Sequence, residues 1–410
     1  MQNSSAQQLS TNQRLNSRKF SMQSSKDSRK MTYDCIVIGG GIVGTSSVYH
    51  LTMRGKKTLL LDQFPLPHTR GSSHGASRIL RSSYDKPLYS HMTVEAMLLW
   101  KKLEQETKTK LFRKTGILVI DKAPYEEFEK SCKSVVECGG QYQEISPEEL
   151  ERRYPGVMSL PVGHRIYMEN DAGTLKADKA LISLREQIKC FGGLIQDEEK
   201  VQHIFPGEIV TVRTNKRTYK TKHLIVTAGA WTSDLLKPLG MNLPLSVERI
   251  SVCYWKERVP GSSKKLPVFI DYSQDMYGLP CSEYSGLMKV CEHSGVKITH
   301  PDKRDATFNQ TKDLNFICDY VRENLPGLES KPAIVESCMY TLTPDSDFVI
   351  DTLPRYPNIA FGAGFSGHGF KMAPVVGRIL GELVFGDKLS YDITSLSAKR
   401  FAKYSDSSKL

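Results

Sequence analysis

The chain has 410 residues, 39% hydrophobic and 25% charged, a length that suggests two or three structural units and a composition that suits a soluble globular protein. Its formal net charge is +11, but residues 1–30 hold six Lys/Arg (Arg14, Arg18, Lys19, Lys26, Arg29, Lys30) against Asp27 alone, so the body is only mildly basic. With no recognition motif present, that charge speaks for solubility and against nucleic acid as a partner. No apolar run approaches the roughly 18 residues that span a bilayer.

Residues 1–30 are rich in Ser, Gln and Arg and show no apolar period, so a disordered tail is expected; their scarcity of acids also resembles a mitochondrial presequence. The stretch "YDCIVIGGGIVGTSSVYHLTMRGKKTLLLDQF" (33–64) is more informative. It predicts a buried strand from Cys35 to Ile38, then Gly39, Gly41 and Gly44 in GxGxxG spacing, with Ile42 and Val43 between the last two. An apolar helix to about Arg54 follows, ended by Gly55, then a strand from Thr58 to Leu61 and, immediately after it, Asp62. Glycines allow a tight turn and close backbone approach to a pyrophosphate, the helix N-terminus offers unpaired N–H groups, and the acid takes ribose hydroxyls.

Further along, "KHLIVTAGAW" (222–231) reads as a strand ending in a small-residue turn. "NIAFGAGFSGHGFKMAPVVGRILGELVFG" (358–386) reads as a strand, a turn with Gly362, Gly364, Gly367, His368 and Gly369, and an apolar helix. A second glycine-rich strand-to-helix turn points to a larger, two-part cofactor, or else to a helix that must pack closely. Residues 114–177 and 242–335 alternate more and predict antiparallel strands of a substrate-side sheet. The expected fold class is α/β (α+β overall): a Rossmann-like cofactor domain (31–113, 178–241, 336–395) interleaved with a mixed or antiparallel substrate domain (114–177, 242–335). Residues 396–410 form a C-terminal tail.

The nine cysteines are odd in number and show neither a CxxC pair nor metal-ligand spacing, which fits free thiols in a reducing compartment and no metal. The chain stops at Ser408-Lys409-Leu410, which reads as the peroxisomal address recognised by an import receptor.

Five motifs occur in order: "DCIVIGGGIVG", "PHTRGSSHGASRILRSSY", "GLMKVCEH", "CMYTLTPDSDFVID" and "GFSGHGFKMAP". Together they resemble the monomeric sarcosine oxidase family of covalent flavoproteins, from about Tyr33 to the end of the chain. The resemblance implies an FAD-dependent oxidase of secondary amino acids, N-alkyl or cyclic, such as sarcosine and L-pipecolate, with O2 as acceptor and hydrogen peroxide as product. Gly39, Gly41, Ile42, Val43, Gly44, Asp62, Gly367 and His368 would hold the FAD. Cys338 would form a thioether to its 8-methyl carbon, with His74, Arg78 and Arg81 supplying positive charge. By the same resemblance Arg81 and Lys371 clamp the substrate carboxylate, a planar fork joined to a point charge. His293, Tyr277 and Tyr340 line the substrate side, and Lys289 is the cation that activates oxygen. An intact site within one chain makes a monomer the expected state. Two other classes share the fold. A dehydrogenase passing electrons to a partner flavoprotein has no need of Lys289, and a non-enzymatic flavin-fold assembly factor tolerates loss of Cys338, Arg81 and Lys371.

Overall fold

A central parallel strand, Thr32–Ile38, organises the cofactor side of the molecule, and Cys35, Ile36 and Val37 along it are fully buried. The structure, a computed structural model, describes residues 32–402 apart from 308, so the N-terminal tail and Ser408-Lys409-Leu410 lie outside the described residues. Thr58–Leu61 and Thr218–Val226 flank the central strand in parallel, and Leu194–Gln196 and Tyr356–Ala363 extend the parallel set on either side. Helices Ile42–Met53 and Gly369–Phe385 cover this sheet, which is why its strands read as continuous apolar runs. Antiparallel strands Val201–Phe205, Val210–Thr214 and Val349–Leu353 complete eight.

A second sheet has nine strands. Ser246–Glu257 pairs antiparallel with Leu287–Glu292, Val296–Ile298 and Leu328–Leu342. Met276–Pro280, Val268–Asp271, Ile117–Lys122, His164–Glu169 and Tyr142–Ile145 continue it outward. Alternation along these strands sorts the side chains. Cys253, Trp255, Met288 and Val290 pack beneath the helix Gln310–Asn324 through Leu314, Ile317 and Val321. Ile250, Val252, Tyr254, Cys291 and Cys338 form a separate cluster on the opposite face. Short strands Ser77–Leu80, Phe112–Lys114 and Gly173–Lys176 make a third sheet.

The expected class, a Rossmann-like sheet interleaved with a mixed, mainly antiparallel one, is what the strand order shows. Two stretches sit differently from the sequence reading. Residues 336–342, grouped there with the cofactor domain, belong to the nine-stranded sheet, because their strand pairs with Ser246–Glu257 along its length. Residues 398–401 form a short 3-10 turn whose Phe401 is buried against the eight-stranded sheet, so the fold continues beyond 396. Among the described residues no helix is long and apolar enough to cross a membrane.

Candidate active site

One cavity of about 1460 Å³ is walled by residues from all three sheets, and every residue expected to hold FAD or substrate except Gly44 lines it. A pocket for one small ligand spans roughly 300–1,000 Å³, so this volume has room for a cofactor and a substrate together.

At one end lies the first glycine turn. Gly39 adopts φ +104°, and a Cβ there would fall 2.3 Å from the Thr227 carbonyl oxygen. A Cβ on Gly44 would fall 2.0 Å from the Gly39 carbonyl oxygen, so Gly44 serves the turn from behind rather than from the wall. Gly41 caps the helix Ile42–Met53, bringing that helix N-terminus to the cavity. Asp62 ends the adjacent strand and accepts the Gly40 N–H at 2.7 Å and the Phe64 N–H at 2.8 Å. Close backbone, a helix N-terminus and a carboxylate on one wall fit a dinucleotide cofactor. Two residues of this wall escaped the sequence reading. Ser73 Oγ accepts the Ile42 N–H at 3.0 Å, and Arg185 donates to the Gly40 carbonyl at 2.8 Å. Both are distant in sequence from the turn; Ser73 stands inside the motif that carries His74 and Arg81 without being singled out, and Arg185 stands in none.

The second glycine turn presses on the aromatic wall. Gly367 has φ +79°, and a Cβ would meet Tyr340 Cε2 at 2.6 Å and His293 Cε1 at 2.8 Å. The Tyr340 hydroxyl lies 3.3 Å from His293 Nδ1, and Tyr277 meets the His293 ring edge-on with centroids 6.0 Å apart. Water reaches His293 through the cavity, yet desolvation by the surrounding protein, then Lys371 and Arg81, push its pKa down to about 4. His368 is held far below the usual histidine range by burial first and Lys371 next; its Nε2 lies 3.3 Å from the Ser346 carbonyl.

The cations are the unusual part. Arg81 Nη1 donates to the Tyr272 hydroxyl at 3.0 Å and to Ser83 Oγ at 3.4 Å, while its Nε is buried with no partner. Lys371 is 9% exposed, and burial, Arg81 and Arg78 together hold its pKa well below the ordinary lysine value. Lys289, 5% exposed, places its ammonium 5.6 Å from the Tyr254 ring centroid. Among the described residues no carboxylate forms an ion pair with any of the three. Tyr84 and Tyr272, which serve Arg81 directly, were not singled out from sequence, although Tyr84 stands in the same motif.

Cys338 is 7% exposed, its Sγ 3.8 Å from the Ser72 carbonyl oxygen. All nine cysteines are free thiols, and Cys338 alone of them lines the cavity. Arg78 spends its donors on the Ser77, Ser72 and His74 carbonyls. His74 stands beside Arg78 and against the strand that bears Cys338. Its ring nitrogens lie 2.5 Å from the Gly71 and 3.1 Å from the Ser337 carbonyl oxygens, contacts that favour the charged ring. Burial nonetheless outweighs them and pushes the pKa down to about 4; a neutral ring can donate to only one of the two carbonyls, whereas the Arg78 guanidinium keeps its charge beside it.

Comparison with known proteins agrees with this geometry. The FAD dependent oxidoreductase family matches residues 34–383. A human protein named peroxisomal sarcosine oxidase is 45% identical over 91% of this chain and 97% of its own length. A monomeric sarcosine oxidase from Bacillus sp. (strain NS-129) is 33% identical over 90% of this chain and 97% of its own. In fold, the chain resembles NikD, an unusual amino acid oxidase essential for nikkomycin biosynthesis, with TM-score 0.79 at 24% identity over 90% of this chain and 98% of that one. The chain belongs to the FAD-dependent oxidoreductase family, among relatives that are sarcosine oxidases.

Proposed function

We propose that this cavity oxidises secondary amino acids, N-alkyl ones such as sarcosine or cyclic ones such as L-pipecolate and L-proline, giving an imine and hydrogen peroxide. The observation that carries the reading is the pair Arg81 and Lys371, a buried guanidinium beside a buried lysine whose charge burial and Arg81 oppose, with no carboxylate paired to either among the described residues. Leaving a buried charge without a counter-ion costs several kcal/mol, so a site that keeps the Arg81 charge and sets a second basic group beside it is built for an anion from outside. A substrate carboxylate supplies it. His293, neutral above about pH 4, and the hydroxyls of Tyr277 and Tyr340 make the adjoining wall polar without adding charge. The wall formed by Gly39, Gly41, Asp62 and Gly367 would hold FAD, which would supply an acceptor for the hydride equivalent of the C–H beside the amine nitrogen and a route for the electrons to O2. Lys289 would hold a fixed positive charge where O2 gains an electron. Cys338 would attach the cofactor covalently, being the one thiol on the cavity wall. A peroxisomal location fits a peroxide-forming reaction and the names of the human and mouse relatives. A monomer would suffice, since all these groups come from one chain.

The test is peroxide release by purified protein given sarcosine, L-pipecolate and L-proline in turn. Peroxide in step with substrate consumed supports an oxidase. Turnover only with an artificial electron acceptor would make the protein a dehydrogenase.

A further inference from the structure

We propose that Glu169 is a positioning residue for substrate carboxylate binding, acting on Arg81 through the backbone of Ser82 and Ser83; this rests on the reading of Arg81 as a carboxylate ligand. Glu169 ends the strand His164–Glu169 and is 1% exposed. Its Oε1 accepts hydrogen bonds from the Ser82 N–H at 3.0 Å and the Ser82 hydroxyl at 2.7 Å, and its Oε2 accepts the Ser83 N–H at 3.2 Å. No Lys or Arg among the described residues forms an ion pair with it. A carboxylate buried without a cation is tolerated when N–H and O–H donors converge on it, and here three do.

Those donors belong to the two residues directly after Arg81, in a stretch from 81 to 84 with no regular secondary structure. Their amides have no ladder partner, and Glu169 supplies one. The fixed segment carries the parts that aim the guanidinium. Ser83 Oγ accepts from Arg81 Nη1 at 3.4 Å, and the Tyr84 ring lies 4.4 Å from Arg81 Cζ. Glu169 does not line the cavity, so it touches neither substrate nor cofactor. It links instead the nine-stranded sheet, which bears Lys289 and Cys338, to the loop that bears Arg81. Together with the Arg81–Tyr272 hydrogen bond, this carboxylate fixes the distance between clamp and reacting groups.

The test is a double-mutant cycle on the holoenzyme, titrated with tetrahydrofuran-2-carboxylate, a proline isostere with no amine to oxidise. In Glu169→Gln the side-chain amide faces the Ser83 N–H and cannot accept from it. The expected result is a Kd raised about tenfold with wild-type Arg81, and changed less than about twofold when Arg81 is already Met. KM for sarcosine should rise more than kcat falls. Ser82→Ala, which removes one of the three bonds, is the milder variant should Glu169→Gln not fold, and should shift Kd in the same direction. Equal losses in both Arg81 backgrounds, or an unchanged Kd, would overturn the proposal while leaving the clamp standing. An unchanged Kd in Arg81→Met itself would overturn the clamp reading and this inference with it.

Discussion

Arg81 and Lys371 share one aromatic ring: the Arg81 Cζ lies 4.4 Å and the Lys371 Nζ 5.2 Å from the centroid of Tyr84. Two cations held this close repel, and burial with Arg81 and Arg78 lowers the pKa of Lys371 far below that of a free lysine. A bound carboxylate reverses the balance and favours the ammonium, so binding takes up a proton. Affinity for tetrahydrofuran-2-carboxylate should therefore fall as pH rises above the free-state pKa of Lys371, by up to about tenfold per pH unit. Calorimetric titration in buffers of different ionisation heat checks the proton uptake. A flat pH profile with no proton taken up would remove Lys371 from the anion site.

Covalent attachment through Cys338 has a simple readout. Acid-precipitated wild-type protein should keep its yellow cofactor in the pellet, and Cys338→Ser should release it to the supernatant. Because no other cysteine lines the cavity, no second thiol should rescue the variant. Colour lost from the wild-type pellet rules the linkage out.

Lys289 should matter after the amine has been oxidised and hardly before. A fixed ammonium lowers the barrier to forming an anion from O2 without reorganising, and losing ~3–4 kcal/mol of such stabilisation slows that step roughly 10²–10³-fold. Lys289→Met, followed by stopped-flow absorbance, should react with sarcosine anaerobically at close to the wild-type rate and then with O2 sluggishly. Slow anaerobic reaction with fast reaction toward O2 would assign Lys289 to the substrate side.

Acid sensitivity should arise partly outside the cofactor cavity. His50 Nε2 lies 2.8 Å from the Pro374 carbonyl oxygen, and burial, helped by Arg378 and Lys102, pushes its pKa down to about 4. Between about pH 6.5 and 4 the unfolded chain binds a proton at this site that the folded one refuses, so stability falls as pH falls. The slope from His50 is at most about 1.4 kcal/mol per pH unit. Thermal unfolding of wild type and His50→Gln at pH 6.5 and 4.5 should show the smaller loss in the variant. Parallel losses would mean that His50 is protonated in the fold.

What could be read from sequence was local. The turn at Gly39, Gly41 and Gly44 declares itself by its spacing, and a Cβ would strike the Thr227 backbone at Gly39 and the Gly39 carbonyl oxygen at Gly44. The company kept by Cys338 does not, since Ile250 lies beside it and Tyr254 beside Lys289 only through the register of three strands. Glu169 was illegible for the same reason: its partners Ser82 and Ser83 are more than eighty residues away, and a buried glutamate has no sequence signature. Arg81, Lys371, Lys289 and Cys338 were singled out by family motifs, not by any physical pattern in the chain. Their meeting in one cavity is a property of the fold.

Comparing sarcosine with sarcosinamide, its uncharged amide, tests most directly whether Arg81 and Lys371 bind a substrate carboxylate. Truncating one partner of a desolvated charge pair costs about 2–5 kcal/mol, so wild-type kcat/KM should favour sarcosine by roughly 30-fold to a few thousandfold. Arg81→Met and Lys371→Met should lose most of that preference by becoming poor on sarcosine while changing little on the amide. Wild-type protein that oxidises sarcosinamide as well as sarcosine would contradict the assignment, and with it the reason for two basic groups buried without a carboxylate partner in the cavity wall.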